Sequence, residues 1–380
     1  MEIAPFLLAL LVLWVVCIVT ALRLLETKRL AKKQKRMPLP VVPCPVSVVI
    51  AVHNQAHLLK ESLPVFLNQD YAEEYEVIVV DKNSDDETSD LLEQYAETYP
   101  HLHVSKIPQT ARDISLQRLA LTLGLRSASH EWIAFVHPEC IPTSDQWLTH
   151  FARFCNEQED AIVGFASYEE VKGENNFRCR IHKLWNQMHW MPYCRRHAPY
   201  YTDGCCFLYR KSYFLEHQGF ASSSNLLAGA ETLLVNHHIA RGRCYPNLDP
   251  QAVLHQRIPS SREWKQERIF YMETRRWMRH SFLSRTRYLI ESTSTLLYPL
   301  LTIALLVWFC PVVVTCTILL AMWLLRICVR AICFHQVESE LGIGHHWPLT
   351  FMESLIPLWD FQAWVKHLFT SKNTFRKKFV

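Results

Sequence analysis

Three short apolar runs in this chain each end on polar or acidic residues. The runs are Val46–Val52, residues 76–80 and Trp132–Val136, and Asp81 and Glu139 stand just beyond the second and third. Apolar runs of this length are typical of strands buried in a parallel sheet. Because ligands bind beyond the carboxyl ends of such strands, the pattern predicts one crevice for a charged ligand.

Around these strands, apolar residues recur at the spacing of an α-helix. The repeats comprise Leu59, Leu63, Phe66 and Leu67, then Leu91, Leu92 and Tyr95, and then Leu116, Leu119, Ala120 and Leu123. A further strand fits residues 101–107, and strands and helices alternating in this way predict right-handed crossovers and a sheet covered on both faces. We therefore expect an α/β domain of the nucleotide-binding type over residues 45–168, followed by a second half over residues 169–287.

A first membrane segment is predicted at the amino terminus. Residues 5–22 carry no charge, and a helix of about 18 residues is long enough to cross the apolar core of a bilayer. A cleaved signal peptide is the alternative, but no basic region precedes the run and no small-residue cleavage site follows it. We expect an uncleaved anchor over residues 1–24 and a basic juxtamembrane linker over residues 25–44.

A second apolar stretch, residues 296–325, is too long for one untilted span. Together with its flanking residues it is expected to form a transmembrane hairpin over residues 288–334 that turns near Pro311. The hairpin would return the chain to the side of the membrane from which it entered.

The last apolar segment, residues 347–369, contains charged side chains and leads into a basic tail. These features favour an amphipathic helix at the inner interface over a fourth span. We therefore expect residues 335–380 to form an interfacial helix and a basic tail.

Charge and cysteine content bear on partners and location. The net charge of +4 over 380 residues is mostly juxtamembrane, which favours anionic lipid headgroups over nucleic acid as a partner. The positive-inside rule predicts an outer amino terminus and a cytoplasmic domain at the inner (plasma) membrane. Thirteen cysteines without regular spacing fit reduced thiols in that compartment.

Neither glycine-rich phosphate cradle is present. The chain has only nine glycines, with no G-x-G-x-x-G and no G-x-x-x-x-G-K motif. The usual alternative for a diphosphate is a divalent cation held by carboxylates at a strand end, which neutralises the charge of the leaving group.

Several segments resemble the motifs of family 2 glycosyltransferases, which are inverting enzymes of the GT-A fold. Residues 46–54, 68–71 and 77–88 resemble the opening of that family, residues 119–124 and 131–142 fall at its D-x-D strand end, residues 204–212 resemble its G-x-x-x-x-x-x-R-K-S stretch, residues 229–234 fall at its catalytic acidic motif, and residues 273–277 resemble its Q-x-x-R-W. With the membrane segments included, the resemblance covers nearly the whole chain.

The resemblance implies a GT-A mixed sheet with helices on both faces, together with an N-terminal transmembrane helix and a C-terminal transmembrane hairpin. Residues 45–168 would bind a nucleotide-sugar, and residues 169–287 would hold the acceptor and the catalytic base. The implied reaction is the transfer of a hexosyl-type sugar, with inversion, from a nucleotide-sugar donor to a lipid-linked or envelope-glycan acceptor in polysaccharide biosynthesis.

The resemblance also assigns residues to roles. The donor would be bound by His53, Asn54, Asp81, Asn83, Arg118 and Gly204; a divalent cation (Mn or Mg) by Glu139 and His137; and the acceptor or diphosphate by Arg275, Arg276 and Trp277. Glu231 would be the general base. A sugar hydroxyl is a poor nucleophile, and a positioned carboxylate that accepts its proton contributes about a hundredfold or more.

Three of the acidic motifs depart from the family pattern. The paired acids after the second strand are Asp81 and Lys82 here, the D-x-D is His137-Pro138-Glu139, and the paired acids at the base site are Ala230 and Glu231. Catalytic geometry is sensitive at about the ångström scale, so a slow or manganese-selective enzyme is one expectation. The alternative is a catalytically impaired relative that acts as a binding or scaffold subunit of a polysaccharide-synthesis complex.

Each candidate residue also has a purely structural interpretation. Asp81 could cap the turn that follows its strand, Glu139 could be a solvated turn residue, and Glu231 could stabilise the first turn of a helix. Arg118 could be a surface charge, and residues 273–277 could lie on an interfacial basic and aromatic helix that rests on lipid. These alternatives stay open at the level of sequence.

Overall fold

The computed structural model describes residues 4–40, 43–108, 115–169, 177–195, 202, 205–221, 226–279, 282–309, 312–344 and 348–375. Its strands are β1 (Val46–Val52), β2 (Tyr75–Asp81), β3 (Leu102–Lys106), β4 (Trp132–Val136), β5 (Cys140–Pro142), β6 (Ala161–Val163), β7 (Ala166–Tyr168), β8 (Cys206–Arg210), β9 (Cys244–Pro246) and β10 (Leu254–Gln256).

Thirteen α-helices lie in the described ranges, and most connect or cover these strands. They are α1 (Ala4–Arg36), α2 (Ala56–Leu67), α3 (Thr88–Thr98), α4 (Leu116–Ser127), α5 (Trp147–Phe151), α6 (Phe177–Trp190), α7 (Lys211–Glu216), α8 (Ala230–His238), α9 (Ser261–Trp277), α10 (Phe282–Trp308), α11 (Val313–Leu341), α12 (Pro348–Met352) and α13 (Ile356–Phe369). The strands and helices predicted between residues 46 and 136 are therefore confirmed.

The main sheet has seven strands in the order β3-β2-β1-β4-β8-β6-β9. Strands β1 to β4 run parallel, and β8 is antiparallel to both of its neighbours. A second sheet, in the order β5-β10-β7, joins chain segments from both sides of residue 168. The expected mixed sheet is confirmed, and the two halves predicted from sequence share it.

The apolar runs predicted as strands form the interior of the domain. Every residue of β1 is buried, because helices pack on both faces of the sheet. On one face, Gly124 lets α4 lie directly against the sheet, since a Cβ there would stand 2.4 Å from Val49 Cγ1. This close packing fixes the start of α4 near the carboxyl ends of the strands.

Three helices are long and apolar enough to cross a membrane, namely α1, α10 and α11. They pack on one another through contacts such as the one between Trp14 Nε1 and Met322 O, 3.1 Å apart. The predicted anchor and hairpin are thus present, although Pro311, at the expected turn, lies outside the described residues. The twelve cysteines in the described ranges are free thiols.

Helix α1 continues past the predicted anchor into the soluble domain. The prediction of a linker at residues 25–44 is wrong for residues 25–36, which are helical and bury Thr27, Ala31 and Gln34. The Gln34 side chain donates to Pro246 O at 2.6 Å and accepts from Leu248 N at 2.7 Å. Residues 25–36 contain neither Gly nor Pro, the two residues that most disfavour a helix interior. The helix can therefore continue past the apolar segment.

The hairpin helices also extend beyond the predicted 288–334. Helix α10 begins at Phe282, and α11 ends at Leu341, where Gly342 adopts a left-handed conformation with φ +68°. Near the middle of α11, Arg326 and Arg330 form a buried ion-pair cluster with Glu353. The predicted interfacial segment therefore contains two helices, α12 and α13, joined by a 3-10 turn. Glu353 of this turn is the carboxylate that binds the two arginines.

Candidate active site

The loops after β1 and β2 are tied to each other. Asn54 and Asn83 both adopt the left-handed conformation, with φ +53° and +63°, which Asn tolerates better than most residues. The Asn54 side chain accepts from Asp85 N at 2.8 Å, and Asn54 N donates to Ser84 Oγ at 2.9 Å. These bonds leave Asn54 exposed at the strand ends and Asn83 partly exposed.

Asp81 is the buried carboxylate that organises the second of these loops. Its oxygens accept from Ser84 N at 2.9 Å, Ser84 Oγ at 2.6 Å and Ser89 Oγ at 2.8 Å. Lys106 Nζ lies 3.9 Å away. Asp81 thus caps the turn, as its structural interpretation requires, while standing at the carboxyl end of a central strand.

Glu231 lies in the first turn of α8, where the positive end of the helix dipole stabilises a carboxylate. Gly229 precedes the helix with φ +70°, and a Cβ there would stand 2.4 Å from Thr274. The start of α8 therefore rests directly on α9. Burial raises the pKa of Glu231, but His137 and Gln117 outweigh this effect and lower it below its ordinary value.

Arg118 stabilises the loop that leads to Glu231. Its side chain is buried and donates to Leu226 O and, at 3.0 Å, to Ala228 O, in the loop that leads into α8. Burial lowers the pKa of Arg118 to about 10, against the opposing field of Glu231. Arg118, which was predicted to bind the donor, is therefore held in the interior, where it stabilises this loop.

His137 and Glu139 follow the end of β4 and lie near Glu231. His137 Nε2 lies 3.7 Å from Glu231 Oε1, and Glu139 Oε2 accepts from Gln256 Nε2 at 3.4 Å. Burial lowers the pKa of His137, but the carboxylates of Glu231 and Glu139 outweigh it and raise this pKa to about 10. His137 thus faces the candidate base in a field that favours its protonated form.

Lys82 connects the strand ends electrostatically. Burial lowers its pKa, while the fields of Glu231, Glu139 and Asp81 oppose this change. Its ammonium donates to Gln117 Oε1 at 2.9 Å, and Gln117 Nε2 donates in turn to Glu231 Oε1 at 3.3 Å. The fields of the three acids that the sequence singled out therefore all act on Lys82, which is partly buried.

The donor set at this site offers few ligands for a metal ion. In the described ranges, no three His, Cys, Asp or Glu side chains come together as a metal-binding group. Glu139 presents carboxylate oxygens, which suit Mg²⁺ and Mn²⁺. His137, the other predicted ligand, has its Nε2 3.7 Å from Glu231 Oε1, and the field of that carboxylate raises the pKa of His137, which favours a proton over a metal ion on the ring. A cation at Glu139 would need the oxygens of a bound diphosphate to complete its coordination.

The predicted acceptor residues lie on α9. Arg276 is exposed and 3.4 Å from Glu273 Oε2, and Trp277 Nε1 donates to Glu273 Oε1 at 3.2 Å. The Glu273 carboxylate also contacts His367 of α13 at 2.9 Å. Arg275 instead lines a separate cavity at the membrane side of the domain.

Other predicted donor residues are less constrained. His53 is exposed beside Asn54 at the end of β1. Gly204 lies outside the described residues. Sequence reasoning missed the bridging role of Gln117, and also Gln256 and Lys183, which donates to the Gln256 side chain. No local pattern marks these residues, because the contacts that define them join segments far apart in the chain.

Comparison with known proteins agrees with this architecture. The sequence profile described as Glycosyl transferase family 2 matches residues 47–217. Glycosyltransferase AglE of Haloferax volcanii is 31% identical over 104 residues, which are 27% of this chain and 33% of that protein. The matched part thus spans about a third of the length of this relative.

A solved structure resembles the whole chain at low identity. The mannosyltransferase PcManGT from Pyrobaculum calidifontis, in complex with GDP-Man and Mn²⁺, superposes with a TM-score of 0.51 and 18% identity, over 94% of this chain and 99% of that one. At this identity the likeness bears on the fold alone. Residues 47–217 therefore match glycosyl transferase family 2, and the fold of the chain is that of the GT-A glycosyltransferases.

Proposed function

We propose that this protein transfers a hexosyl-type sugar from a nucleotide-sugar to an acceptor hydroxyl with inversion. The observation that carries the proposal is that the ends of β2 and β4 both approach Glu231 at the start of α8. His137 Nε2 lies 3.7 Å from Glu231 Oε1, and Gln117 bridges Lys82 to the same carboxylate, at 2.9 and 3.3 Å. His53, Asn54 and Asn83 stand beside this cluster on the strand-end loops and are proposed to contact the donor. Residues 45–168 would form its binding half.

The proposed reaction is a single displacement at the anomeric carbon. The acceptor oxygen forms a bond to that carbon as the bond to the diphosphate oxygen breaks, and the diphosphate leaves with the bonding electrons. Glu231 accepts the hydroxyl proton. Its lowered pKa keeps it ionised at neutral pH, which a base requires. For the acceptor to reach Glu231, the imidazolium of His137 would have to yield part of its contact with the carboxylate.

A divalent cation, Mn²⁺ or Mg²⁺, is proposed to bind between Glu139 and the donor diphosphate. Such a cation neutralises charge on the leaving group. The Pyrobaculum neighbour carries Mn²⁺, and Glu139 offers suitable oxygens here. Lys82 and His137 add fixed positive charge beside this position, in motifs where the family has acids.

The acceptor is proposed to be lipid-linked or part of an envelope glycan. Three apolar helices adjoin the domain, and the second half, residues 169–287, reaches them through α9 and α10. With α1 followed by basic residues, we propose an inner (plasma) membrane location with the catalytic domain in the cytoplasm. A role in polysaccharide biosynthesis and an association with other synthesis proteins belong to the same proposal.

A non-catalytic binding subunit is the second candidate. One observation favours it: His137 Nε2 lies 3.7 Å from the carboxylate of the candidate base, where an acceptor hydroxyl would have to approach. Such a protein would still bind a nucleotide-sugar through Asp81 and Glu139 and would serve a synthesis complex as a scaffold.

A transfer assay with the full-length protein in detergent separates the two candidates. The protein is incubated with uridine, guanosine or thymidine diphosphate sugars, with and without Mn²⁺, and released nucleoside diphosphate is measured. Glu231→Gln should lower kcat about a hundredfold or more, because the general base is lost. Glu216→Gln removes an exposed carboxylate from α7 and should leave kcat unchanged. Equal rates in the two variants would contradict a catalytic role for Glu231.

A further inference from the structure

Gln256 contacts Glu139, the carboxylate that is proposed to hold the divalent cation. Gln256 is buried, and its Nε2 donates to Glu139 Oε2 at 3.4 Å. The other oxygen, Glu139 Oε1, accepts no hydrogen bond from the part of the chain that the structure describes. One carboxylate oxygen is therefore engaged within the protein, and the other is left for a ligand.

The second sheet holds Gln256 beside Glu139. Strand β10 pairs antiparallel with β5, so that Gln256 lies opposite Cys140, and Arg257 N donates to Glu139 O at 2.9 Å. On its other side β10 pairs with β7, where Gln256 lies opposite Tyr168. The backbone position of Gln256 is thus fixed from both sides, whereas its amide group can still turn about the last torsion of the side chain.

Lys183 of α6 fixes the orientation of the Gln256 amide. Its ammonium donates to Gln256 Oε1, and it lies 4.4 Å from the centre of the Tyr168 ring and 3.8 Å from Cys205 Sγ. Because an ammonium can only donate, the amide oxygen must face Lys183 and the amide NH₂ must face Glu139. In the reversed orientation, the NH₂ would meet the ammonium and the oxygen would meet the carboxylate, and both contacts would be repulsive.

The burial of Lys183 also strengthens the bond between Gln256 and Glu139. Lys183 is only 8% exposed, and hydrogen bonds in a chain polarise one another in surroundings of low dielectric constant. The positive charge on Lys183 draws electron density toward Gln256 Oε1, which makes Nε2 a better donor to the carboxylate. The chain from ammonium to amide to carboxylate therefore stabilises one orientation of the Glu139 side chain.

This support matters because Glu139 has no second acid beside it in its motif. His137 stands at the first acidic position of the D-x-D pattern that the chain resembles. The orientation of a metal-binding side chain depends on the hydrogen bonds that it makes to the surrounding protein, and loss of such a bond typically lowers metal affinity about 10- to 100-fold. A lone glutamate depends strongly on these partners, since no neighbouring carboxylate shares the cation.

We infer that Lys183 is a positioning residue for the cation. It acts through Gln256 to hold Glu139 Oε2, so that Oε1 is the oxygen offered to Mn²⁺ or Mg²⁺. The inference rests on the proposed function, because it concerns the cation proposed between Glu139 and the donor diphosphate. It deepens that proposal by assigning a role to two buried residues that the displacement itself does not use.

The gain in nucleotide affinity that Mn²⁺ produces tests the inference. Full-length protein in detergent is titrated calorimetrically with uridine, guanosine and thymidine diphosphate, with and without Mn²⁺. Lys183→Met should raise the Kd measured with Mn²⁺ about tenfold and leave the Kd measured without it unchanged. The control is Lys211→Met, because the partly buried Lys211 donates instead to Ala128 O at 2.6 Å. This control should change neither Kd.

A double substitution shows whether Lys183 acts through Gln256. Gln256→Met keeps the ammonium but removes the bridge, so it should raise the Kd with Mn²⁺ about as much as Lys183→Met does. The double variant should bind no more weakly than either single variant, because the same chain of bonds is broken in all three. Additive effects, or a Gln256→Met variant that keeps the wild-type Kd with Mn²⁺, would overturn the inference. The Gln256→Met result decides the matter by itself if Lys183→Met does not fold.

The same titrations separate the inference from the proposed function. If the wild type and Lys183→Met gain equally from Mn²⁺, the inference is overturned and the proposed function stands. If the wild type binds a nucleoside diphosphate and gains nothing from Mn²⁺, the inference and the proposed cation are both overturned, while the proposed transfer stands. If no nucleoside diphosphate binds under either condition, the proposed function is refuted together with the inference.

Discussion

Lys82 and His137 place positive charge among the acids of the strand-end cluster. Lys82 lies in the field of Asp81, Glu139 and Glu231, and His137 pairs with Glu231. Both occupy positions at which the family 2 motifs that the chain resembles have acids. A diphosphate brings negative charge to this corner, so these two cations reduce the repulsion that the carboxylates alone would impose.

Replacing Lys82 should therefore weaken donor binding. We expect Lys82→Gln to raise the Kd of the preferred nucleotide-sugar about tenfold, the order of effect of one charge-assisted hydrogen bond. The control is Lys60→Gln. Lys60 lies on α2 and forms an exposed ion pair with Glu87, so this variant should bind the donor as the wild type does. Calorimetric titration measures both, and a Lys82→Gln variant that binds more tightly would contradict this role.

At the scale of elements, the loop before α8 is held from two sides. Arg118 of α4 donates to its carbonyls, and Leu227 N donates to Phe375 O in the tail at 3.0 Å. These long-range contacts could not be predicted from sequence, where Arg118 was expected to bind the nucleotide-sugar donor. The strands were predictable, because an apolar run such as Val46–Val52 carries its signal locally.

Gly229 tests how closely α8 must rest on α9. Gly229→Ala should lower kcat more than tenfold, since a Cβ would collide with Thr274 and displace Glu231, and misplacement of about an ångström costs up to a hundredfold. Gly242→Ala is the matched control, because φ there is +86° with nothing within 4 Å. Both variants place an alanine at a positive φ, but only Gly229→Ala collides with Thr274. If a transfer assay finds the same loss of activity in both, the collision with Thr274 is not its cause.

Asp360 fixes α13 to α6, α9 and α10. Burial raises its pKa, but His182, Arg268 and Tyr288 outweigh this effect and hold the pKa below the ordinary 3.8. A depressed folded-state pKa stabilises the protein above the ordinary value, and this contribution is lost as the pH falls through the folded-state pKa. Asp360→Asn should therefore lower the free energy of unfolding by about 3 kcal/mol, equally at pH 6 and pH 8.

Thermal unfolding in detergent at several pH values checks this expectation. The difference in Tm between Asp360→Asn and the wild type should stay constant from pH 8 to pH 6 and shrink only in strong acid. A difference that grows as the pH falls from 8 to 6 would mean that a histidine, not Asp360, governs the stability of this junction.

At the scale of the whole molecule, the membrane helices and the soluble domain form one packed unit. Helix α1 runs from the apolar core of the helix bundle to β9, where Gln34 binds the backbone. The apolar spans were evident from sequence, since about 18 uncharged residues signal a membrane helix. The continuation of α1 was not, because basic residues at 28–36 suggested a solvated linker.

This arrangement predicts which parts share a side of the membrane. The soluble domain and the carboxyl terminus should both be cytoplasmic, with the short connection between α10 and α11 on the opposite side. Protease treatment of sealed vesicles and of opened vesicles measures this. A carboxyl-terminal tag that is cleaved in intact cells would contradict the orientation.

Donor binding tests the central claim most directly. Calorimetric titration of the full-length protein with uridine, guanosine and thymidine diphosphate sugars, in the presence of Mn²⁺, should find one donor that binds at a single site. Asp81→Asn and Glu139→Gln should weaken that binding about tenfold or more, while Glu231→Gln should leave it nearly unchanged, because a base acts on the acceptor. Donor affinity that is unaffected by both strand-end variants, or the absence of binding by every donor tested, would contradict the account.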